Sequence, residues 1–215
     1  VTVHLSSRDG GRTVIGNHVY MMACSHVGHD GVIGDHVTMA NSALLAGHVV
    51  VGERAFISGN VSVHQHVHIG KLAMIGASTF VSQDIPPFCT AQGVPGRVVC
   101  LNTVGLKRNG YDQQRRTALK KVFRLLYRQG LSLEGALAQL DQLEDQDADC
   151  VSGFIRATKR GIASSRGHGR ADEPRPVELE PQHRDAGQRP LHRGAAEGAL
   201  GAVLQRGEIE GCIGV

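Results

Sequence analysis

The feature that most constrains this chain is an aliphatic residue at every sixth position from Ile15 to Val81. The twelve members of the series are Ile15, Met21, Val27, Ile33, Met39, Leu45, Val51, Ile57, Val63, Ile69, Ile75 and Val81. A small residue (Gly, Ala or Ser) follows ten of them, and Met22 and His64 are the exceptions. An α-helix repeats every ~3.6 residues and cannot keep a period of six, which is instead the signature of a parallel β-helix.

The pattern resembles the hexapeptide-repeat folds. That resemblance implies that three units form one 18-residue coil of an all-β, left-handed parallel β-helix. Each aliphatic side chain is expected to point inward and to stack on its copy in the next coil, roughly 4.8 Å away. The small residue after it is expected to let the backbone turn the corner. One coil cannot bury its own apolar face, so stability must come from stacking.

The repeat already runs at the start of the chain, because Val3 lies twelve residues before Ile15 and fits the same register. The polar, Gly-rich stretch 6–13 between them predicts a loop that projects from a corner. The sequence begins in mid-repeat without Met, signal peptide or cap. We therefore expect an N-terminally truncated part of a longer β-helix.

Three regions are predicted along the chain. Residues 1–87 form the C-terminal coils of the β-helix, which Pro86 and Pro87 end because proline cannot donate to a β ladder. Residues 88–160 form a connection and a small C-terminal α-helical domain. Residues 161–215 are rich in Gly, Arg, Glu, Pro and His and have no hydrophobic period, so they predict a disordered or out-of-frame tail with no assigned function.

The helical domain is expected to contain three helices, with Asp112 and Ser132 as N-caps of the first two and the third running from about Cys150 to Arg160. Its first helix is strongly basic. Between 107 and 128 one acid accompanies eight basic residues, which are Lys107, Arg108, Arg115, Arg116, Lys120, Lys121, Arg124 and Arg128. Two interpretations stay open, a solvated helix face and a docking surface for an acidic partner or a phosphate group.

Composition excludes several classes of protein. The chain has five scattered cysteines and no CxxC pair, so neither a disulfide framework nor a zinc ribbon is indicated, and reduced cytosol is the expected compartment. A net charge of +3 is too small to indicate a nucleic-acid partner. No apolar run is long enough to predict stable membrane insertion.

Histidines cluster within the repeat, where an apolar core has no use for them. Counting by 18 gives two adjacent columns, Asp30–His48–His66–Asp84 and His29–Gly47–Gln65–Gln83. His26 is expected on the same side of its coil, whereas His18 and His36 fall in another column and are expected at the surface.

This patch has the parts needed for acyl transfer. A neutral His29 can act as general base near neutral pH, and the Asp30 carboxylate beside it can orient the ring. The backbone N–H at Gly47 can stabilise an oxyanion. A metal site built on the same histidines and a set of solvated corner histidines are the alternative interpretations.

The motifs that surround these residues are specific. In chain order they are SHVGHD (25–30), LAGHV (45–49), VHQ (63–65), QDIPP (83–87), AQG (91–93) and LNTVGLKR (101–108). With them, residues 1–160 resemble the acyl-[acyl-carrier-protein]–UDP-N-acetylglucosamine O-acyltransferases of lipid A biosynthesis.

The resemblance implies that a 3-hydroxyacyl chain passes from acyl carrier protein to the 3-hydroxyl of UDP-N-acetylglucosamine. It implies direct transfer without cofactor or metal, in a cytoplasmic homotrimer whose groove lies between neighbouring subunits. His29 is implied as the general base, Asp30 as the acid beside it and Gly47 as the oxyanion donor. The implied substrate-binding residues are His26, His48, His64 and Gln65 along the groove, and Asn102 and Arg108 at the nucleotide and diphosphate. The basic helix then suits an acidic carrier protein.

The chain departs from the family's pattern at a few positions. Asn109 stands where many members have a second basic residue, Val104 replaces a common acid, and His66 replaces an apolar residue. The Arg-Gly-Thr loop of many members becomes the stretch 5–8. The position that sets acyl length in the family falls at Ala77, which is often Gly in members that use long acyl chains. We therefore expect this protein to accept a slightly shorter acyl chain.

Two competing functions remain. A metal-dependent lyase of the γ-carbonic-anhydrase type is also a trimeric β-helix with His ligands, but it lacks the NxxGLKR segment and the helical bundle. The second competing function is that of a non-catalytic scaffold derived from a transferase.

Overall fold

The computed structural model describes residues 1–165, in which the repeat forms thirteen two-residue strands. They are β1 Thr2–Val3, β2 Val14–Ile15, β3 Tyr20–Met21, β4 His26–Val27, β5 Val32–Ile33, β6 Thr38–Met39, β7 Leu44–Leu45, β8 Val50–Val51, β9 Phe56–Ile57, β10 Ser62–Val63, β11 His68–Ile69, β12 Met74–Ile75 and β13 Phe80–Val81. The predicted parallel β-solenoid of about four coils is confirmed.

Every third strand joins the same parallel sheet. The first sheet has the order β1-β4-β7-β10-β13, the second β11-β8-β5-β2, and the third contains β12-β9-β6-β3. Val27 pairs with Leu45, one 18-residue coil later, but Val3 pairs with Val27 across 24 residues. The first described coil therefore carries six extra residues, which confirms the predicted loop between Val3 and Ile15.

The aliphatic series fills the interior. From Val27 to Val81 each member is at most 3% exposed. The fourth residue after each aliphatic residue is also buried across the middle of the solenoid, as at Val37, Ala43, Val49, Ala55, Val61, Val67 and Ala73. Each Val, Leu or Ile so buried contributes about 1.5–3 kcal/mol, so the stacked columns are the main source of stability.

The expected role of the small residues is wrong. The corner is turned two residues further on, at a left-handed residue with φ between 53° and 62°, and none of these residues is glycine. They are His18, Cys24, Asp30, His36, Ser42, His48, Arg54, Asn60, His66, Leu72 and Ser78. A Cβ at Gly52 would instead lie 2.5 Å from the backbone nitrogen of Lys71 in the next coil. The residue after the aliphatic one is therefore small because coils stack closely.

The turns define three edges of the solenoid. The histidine edge joins the first sheet to the second and comprises 28–31, 46–49 and 64–67. The cationic edge joins the second sheet to the third and comprises 16–19, 34–37, 52–55 and 70–73. The third edge, which includes 76–79, joins the third sheet to the first.

The predicted connection after Pro87 is in part regular structure. β14 (Cys89–Gln92) pairs in parallel with β12 and in antiparallel with β15 (Arg97–Leu101), so the third sheet continues past the end of the six-residue repeat. These strands alternate buried and exposed residues and were missed because they no longer follow a period of six. A short helix, α1 (Thr103–Arg108), follows.

The helical domain matches its predicted caps. Asp112 and Ser132 accept backbone hydrogen bonds at the starts of α2 (Gln113–Tyr127) and α3 (Leu133–Leu140). A 3-10 turn, Asp141–Leu143, precedes α4 (Gln146–Ala157). The third helix thus begins about four residues earlier than expected, because the Asp145 side chain caps it. None of the helices within residues 1–165 has the length and apolar character needed to cross a lipid bilayer.

The segment 161–165, predicted as the start of a tail, packs on the solenoid. Asp84 is 1% exposed; its backbone N–H donates to Gly161, and its carbonyl accepts from the N–H of Ala163. Its carboxylate accepts from the backbone of His68 at 2.8 Å and from the Thr158 hydroxyl. The prediction for 161–165 is corrected because these backbone bonds fix the segment. The rest of the predicted tail, 166–215, lies outside the described residues.

Candidate active site

The histidine edge brings the predicted patch together. His29 and Asp30 lie between β4 and β5, with Gly47 and His48 one coil further on and Gln65 in the coil after that. Asp84, counted in the same column, is instead buried under the C-terminal segment and does not belong to the open patch.

His29 and Asp30 form a hydrogen-bonded dyad. The His29 Nδ1 atom lies 2.8 Å from Asp30 Oδ2. Because the carboxylate can only accept, Nδ1 carries the proton of this hydrogen bond, and in the neutral ring Nε2 is left with a free lone pair. The His29 side chain is 41% exposed, so the ring is accessible to a substrate.

The loop between β1 and β2 fixes the other side of Asp30. The Ser6 hydroxyl donates to Oδ1 at 2.5 Å, and the Ser7 hydroxyl and backbone N–H donate to Oδ2 at 2.7 and 3.2 Å. The Thr13 hydroxyl accepts from the Asp30 backbone N–H at 2.9 Å. The hydrogen bonds from Ser6, then those from His29 and Ser7, hold the pKa of Asp30 well below its ordinary value. Asp30 is therefore a carboxylate at neutral pH.

Gly47 lies directly beneath the His29 ring. A Cβ at this position would stand 2.5 Å from Nε2 and 2.6 Å from Cε1 of the ring. Only glycine leaves the ring where it is. Within residues 1–165 the Gly47 N–H donates no hydrogen bond, so it can serve as a donor to a ligand.

Two further histidines extend the dyad. The His48 ring meets the His29 ring edge-on at 5.0 Å and lies parallel to the His66 ring at 4.5 Å. Its Nε2 atom is 3.8 Å from Asp30 Oδ2. Partial burial, followed by repulsion from His48 and Arg160, lowers the pKa of His66 and favours its neutral form.

His26 has partners from the first described strand. Its Nδ1 atom lies 2.6 Å from the Thr2 hydroxyl, and its ring meets the His4 ring edge-on at 4.6 Å. Burial, and then repulsion from His4, lowers the pKa of His26. His64 lies on the histidine edge, with Nδ1 3.1 Å from the carbonyl oxygen of Gln65.

The remaining predicted site residues lie on other edges. Asn102 fixes α1 to the cationic edge, since its Oδ1 accepts from Gly105 N–H and its Nδ2 donates to the Leu72 carbonyl, each at 2.9 Å. Arg108 ends α1 beside the same edge, and Ala77 is exposed on the third edge. Within one copy of the chain, Asn102, Arg108 and Ala77 are therefore not brought to His29.

Sequence reasoning missed the polar side chains around Asp30 and His26. Ser6, Ser7 and Thr13 lie in the loop, and their contacts follow from its path rather than from the repeat. A Ser-Ser pair entering an irregular loop just before a predicted catalytic coil is the signal that could have indicated them.

Among the described residues, His29, Asp30 and His48 are the one group whose ligand atoms lie within 4.8 Å of one another. Both Asp30 oxygens already accept hydrogen bonds, and the His29 Nδ1 atom points at Oδ2 rather than at a shared centre. The donor set fits a hydrogen-bonded dyad better than a metal site.

Comparison with known proteins gives a consistent result. The family model for UDP-N-acetylglucosamine O-acyltransferase, domain 2, matches residues 84–163. A relative from Saccharophagus degradans, an acyl-[acyl-carrier-protein]–UDP-N-acetylglucosamine O-acyltransferase, is 48% identical over 165 residues, which are 75% of this chain and 64% of the relative. A relative of the same name from Paracidovorax citrulli is 44% identical over 89 residues, 39% of this chain and 34% of its own length.

Solved structures agree. The UDP-N-acetylglucosamine acyltransferase from Campylobacter jejuni has a TM-score of 0.70 and 33% identity, with 77% of this chain and 70% of that chain covered. The UDP-N-acetylglucosamine O-acyltransferase from Moraxella catarrhalis has a TM-score of 0.73 and 31% identity, with 75% and 64% covered.

A stacked six-residue solenoid that carries a His–Asp dyad on one edge and ends in a helical domain defines a protein of the hexapeptide-repeat class. With the identities and coverage above, the chain belongs to the UDP-N-acetylglucosamine O-acyltransferase family. It spans 34% and 64% of the length of the two curated relatives.

Proposed function

We propose that this chain carries the catalytic edge of an enzyme that transfers a 3-hydroxyacyl group from acyl carrier protein to the 3-hydroxyl of UDP-N-acetylglucosamine, the first step of lipid A biosynthesis. The observation that carries the proposal is the His29 ring, oriented by Asp30 at 2.8 Å and lying over Gly47. Both substrates are taken from the relatives' names.

The chemistry follows from the dyad. His29 Nε2 accepts the proton of the sugar hydroxyl while that oxygen attacks the thioester carbonyl of the acyl donor. The Asp30 carboxylate stabilises the imidazolium that forms. The Gly47 N–H donates to the oxyanion of the tetrahedral intermediate. When the C–S bond breaks, His29 returns the proton to the thiolate of the carrier, and the ester is left on the sugar.

The other substrate contacts belong to the same proposal. His48, His64 and Gln65 lie along the histidine edge and His26 lies in the adjoining strand β4, where they can line a groove for the sugar and the acyl chain. Arg108 is proposed to contact the diphosphate from the cationic edge. Since Asn102 already uses one Nδ2 N–H on Leu72 and one Oδ1 lone pair on α1, a contact with the nucleotide would use the second Nδ2 N–H or the second lone pair of Oδ1.

A homotrimer would reconcile the two edges. The second sheet separates His29 from Arg108 within one copy, so a substrate that touches both would bridge two copies. Ala77, on the third edge, could reach the acyl groove in the same way. In cyclic assemblies each interface uses two different patches, which suits three equivalent shared sites.

Mixed assemblies test this arrangement. His29→Ala and Arg108→Ala chains with different tags are co-expressed, and only assemblies carrying both tags are purified. A shared site predicts recovery of about a third of the unaltered activity, because one interface in three keeps both side chains. Assemblies as inactive as either parent would place both residues in one copy and refute the shared site.

The basic helix supports the carrier protein as partner. Arg115 binds Asp147 with two nitrogens and Arg116 donates to the Tyr111 carbonyl, so these two arginines do not belong to the free basic surface. The basic face is formed by the exposed residues Lys120, Lys121, Arg124 and Arg128. None of them has an ion pair within residues 1–165, so the face suits an acidic protein. A cytoplasmic location of the reaction is part of the same proposal.

Direct detection of product tests the activity. The chain is incubated with 3-hydroxyacyl carrier protein and UDP-N-acetylglucosamine, and mass spectrometry follows the acylated nucleotide sugar and the free carrier thiol. The proposal predicts equal amounts of both. Stoichiometric zinc, lost with His29→Ala, together with CO2 hydration and no acylated sugar, would favour the metal-dependent lyase instead.

A further inference from the structure

A cleft of about 390 Å3 lies between the cationic edge and the segment around α1. Glu53, Arg54 and Lys71 line it from the solenoid, and Arg108, Asn109 and Tyr111 line it from the other side. Its volume lies within the range of roughly 300–1,000 Å3 that is typical of small-ligand sites.

The cleft carries more positive than negative charge. Arg54, Lys71 and Arg108 face a single carboxylate, that of Glu53. Lys71 and Arg108 form no ion pair within residues 1–165. The Lys71 Nζ atom lies 5.2 Å from the centre of the Phe88 ring, which restricts the side chain without neutralising it. The excess charge favours an anionic ligand.

Arg54 is held in place from both domains. Its Nε donates to Glu53 at 2.8 Å and its Nη1 donates to the Asn109 side-chain oxygen at 2.9 Å. The Asn109 amide nitrogen in turn donates to the Gly105 carbonyl at 2.8 Å. The remaining guanidinium N–H groups of Arg54 donate to no described residue, and the side chain is 42% exposed. They are therefore free to bind a ligand.

We propose that Arg54, positioned by Asn109 and assisted by Lys71, binds the diphosphate of the nucleotide sugar beside Arg108. The inference rests on the proposed function for the identity of the ligand. The planar, forked guanidinium matches two phosphate oxygens, which a lone ammonium cannot do. Asn109 thus contributes by holding a guanidinium from another part of the chain.

Calorimetric titration of the full chain with UDP, UDP-N-acetylglucosamine and uridine tests the inference without requiring turnover. Arg54→Ala should weaken binding of both diphosphates about ten- to hundredfold, as expected for a charge-assisted hydrogen bond, and leave uridine binding unchanged. Arg54→Lys should recover only part of the loss. Arg156→Ala is the matched control, because Arg156 is also an exposed arginine paired with one acid, at 2.6 Å from Asp141.

The outcomes separate the two proposals. UDP affinity that is unchanged in Arg54→Ala, or unmeasurable in the unaltered chain, would overturn this inference. A loss of affinity for coenzyme A, used as a phosphopantetheine probe, without a loss for UDP would also overturn it and assign the cleft to the carrier. Intact, Arg54-dependent UDP binding without acyl transfer would support this inference and contradict the proposed function alone.

Discussion

Gly47→Ala is expected to lower kcat for acyl transfer about a hundredfold. The added Cβ would lie 2.5 Å from His29 Nε2, whereas an ordinary contact is about 3.5 Å, so the ring must move by about 1 Å. A displacement of about 1 Å in a catalytic group costs about 10²-fold in rate, or about 2.7 kcal/mol. Gly47 does not have a left-handed φ, so the backbone itself tolerates alanine.

The assay compares kcat and KM of Gly47→Ala with those of Gly59→Ala, the matched control. Gly59 occupies the same position in its repeat, but a Cβ there meets only the Asn41 carbonyl oxygen, at 3.3 Å. Thermal unfolding of both variants verifies that they fold. A Gly47→Ala variant with kcat within a factor of two of the unaltered chain would refute the close packing of His29 on Gly47 as a requirement for catalysis.

Three further predictions concern stability and docking. Because folding lowers the pKa of His66 and His26, the unfolded chain binds more protons than the folded chain below about pH 6.5. The free energy of unfolding is therefore at its full value above that pH and falls as the pH decreases. His66→Asn should reduce the difference in Tm between pH 7.5 and pH 5, and an undiminished difference would contradict this. Asp84→Ala should cost about 1–3 kcal/mol in urea unfolding, because it leaves a partly buried backbone donor at His68 unpaired. Asp35 also accepts a backbone hydrogen bond, from Asn17, but it is only half-buried. A cost as small as that of Asp35→Ala would contradict the stabilising role of the buried Asp84 carboxylate. The double variant Lys120→Glu with Arg124→Glu should raise KM for acyl carrier protein at least about tenfold and leave KM for the nucleotide sugar unchanged. Lys159→Glu is the control. Equal KM values for acyl carrier protein in the two variants would exclude the basic face as the docking surface.

The six-residue period predicted most of the solenoid because it states a physical requirement directly. An inward side chain must recur once per side of the coil, and the 18-residue register then places Gly47 next to His29 without any tertiary information. The same counting failed at Asp84. Its burial depends on Thr158 and Ala163, which come from a distant part of the chain.

Side chains that act from irregular segments could not be predicted in this way. The contacts of Ser6 and Ser7 with Asp30 depend on the path of a loop that has no period. Likewise, the sequence does not distinguish Arg54 from the other residues at the corners of the repeat. Its role emerges only when α1 brings Asn109 to within 2.9 Å of its guanidinium.

The most direct test of the central claim is the rate of acyl transfer by His29→Ala, with His36→Ala as control. His36 also belongs to the repeat but stacks on His18 at 4.8 Å, on the cationic edge. If His29 is the general base, its removal lowers kcat about 10²–10⁴-fold while His36→Ala retains the rate of the unaltered chain. A His29→Ala chain that turns over as fast as His36→Ala would contradict the account.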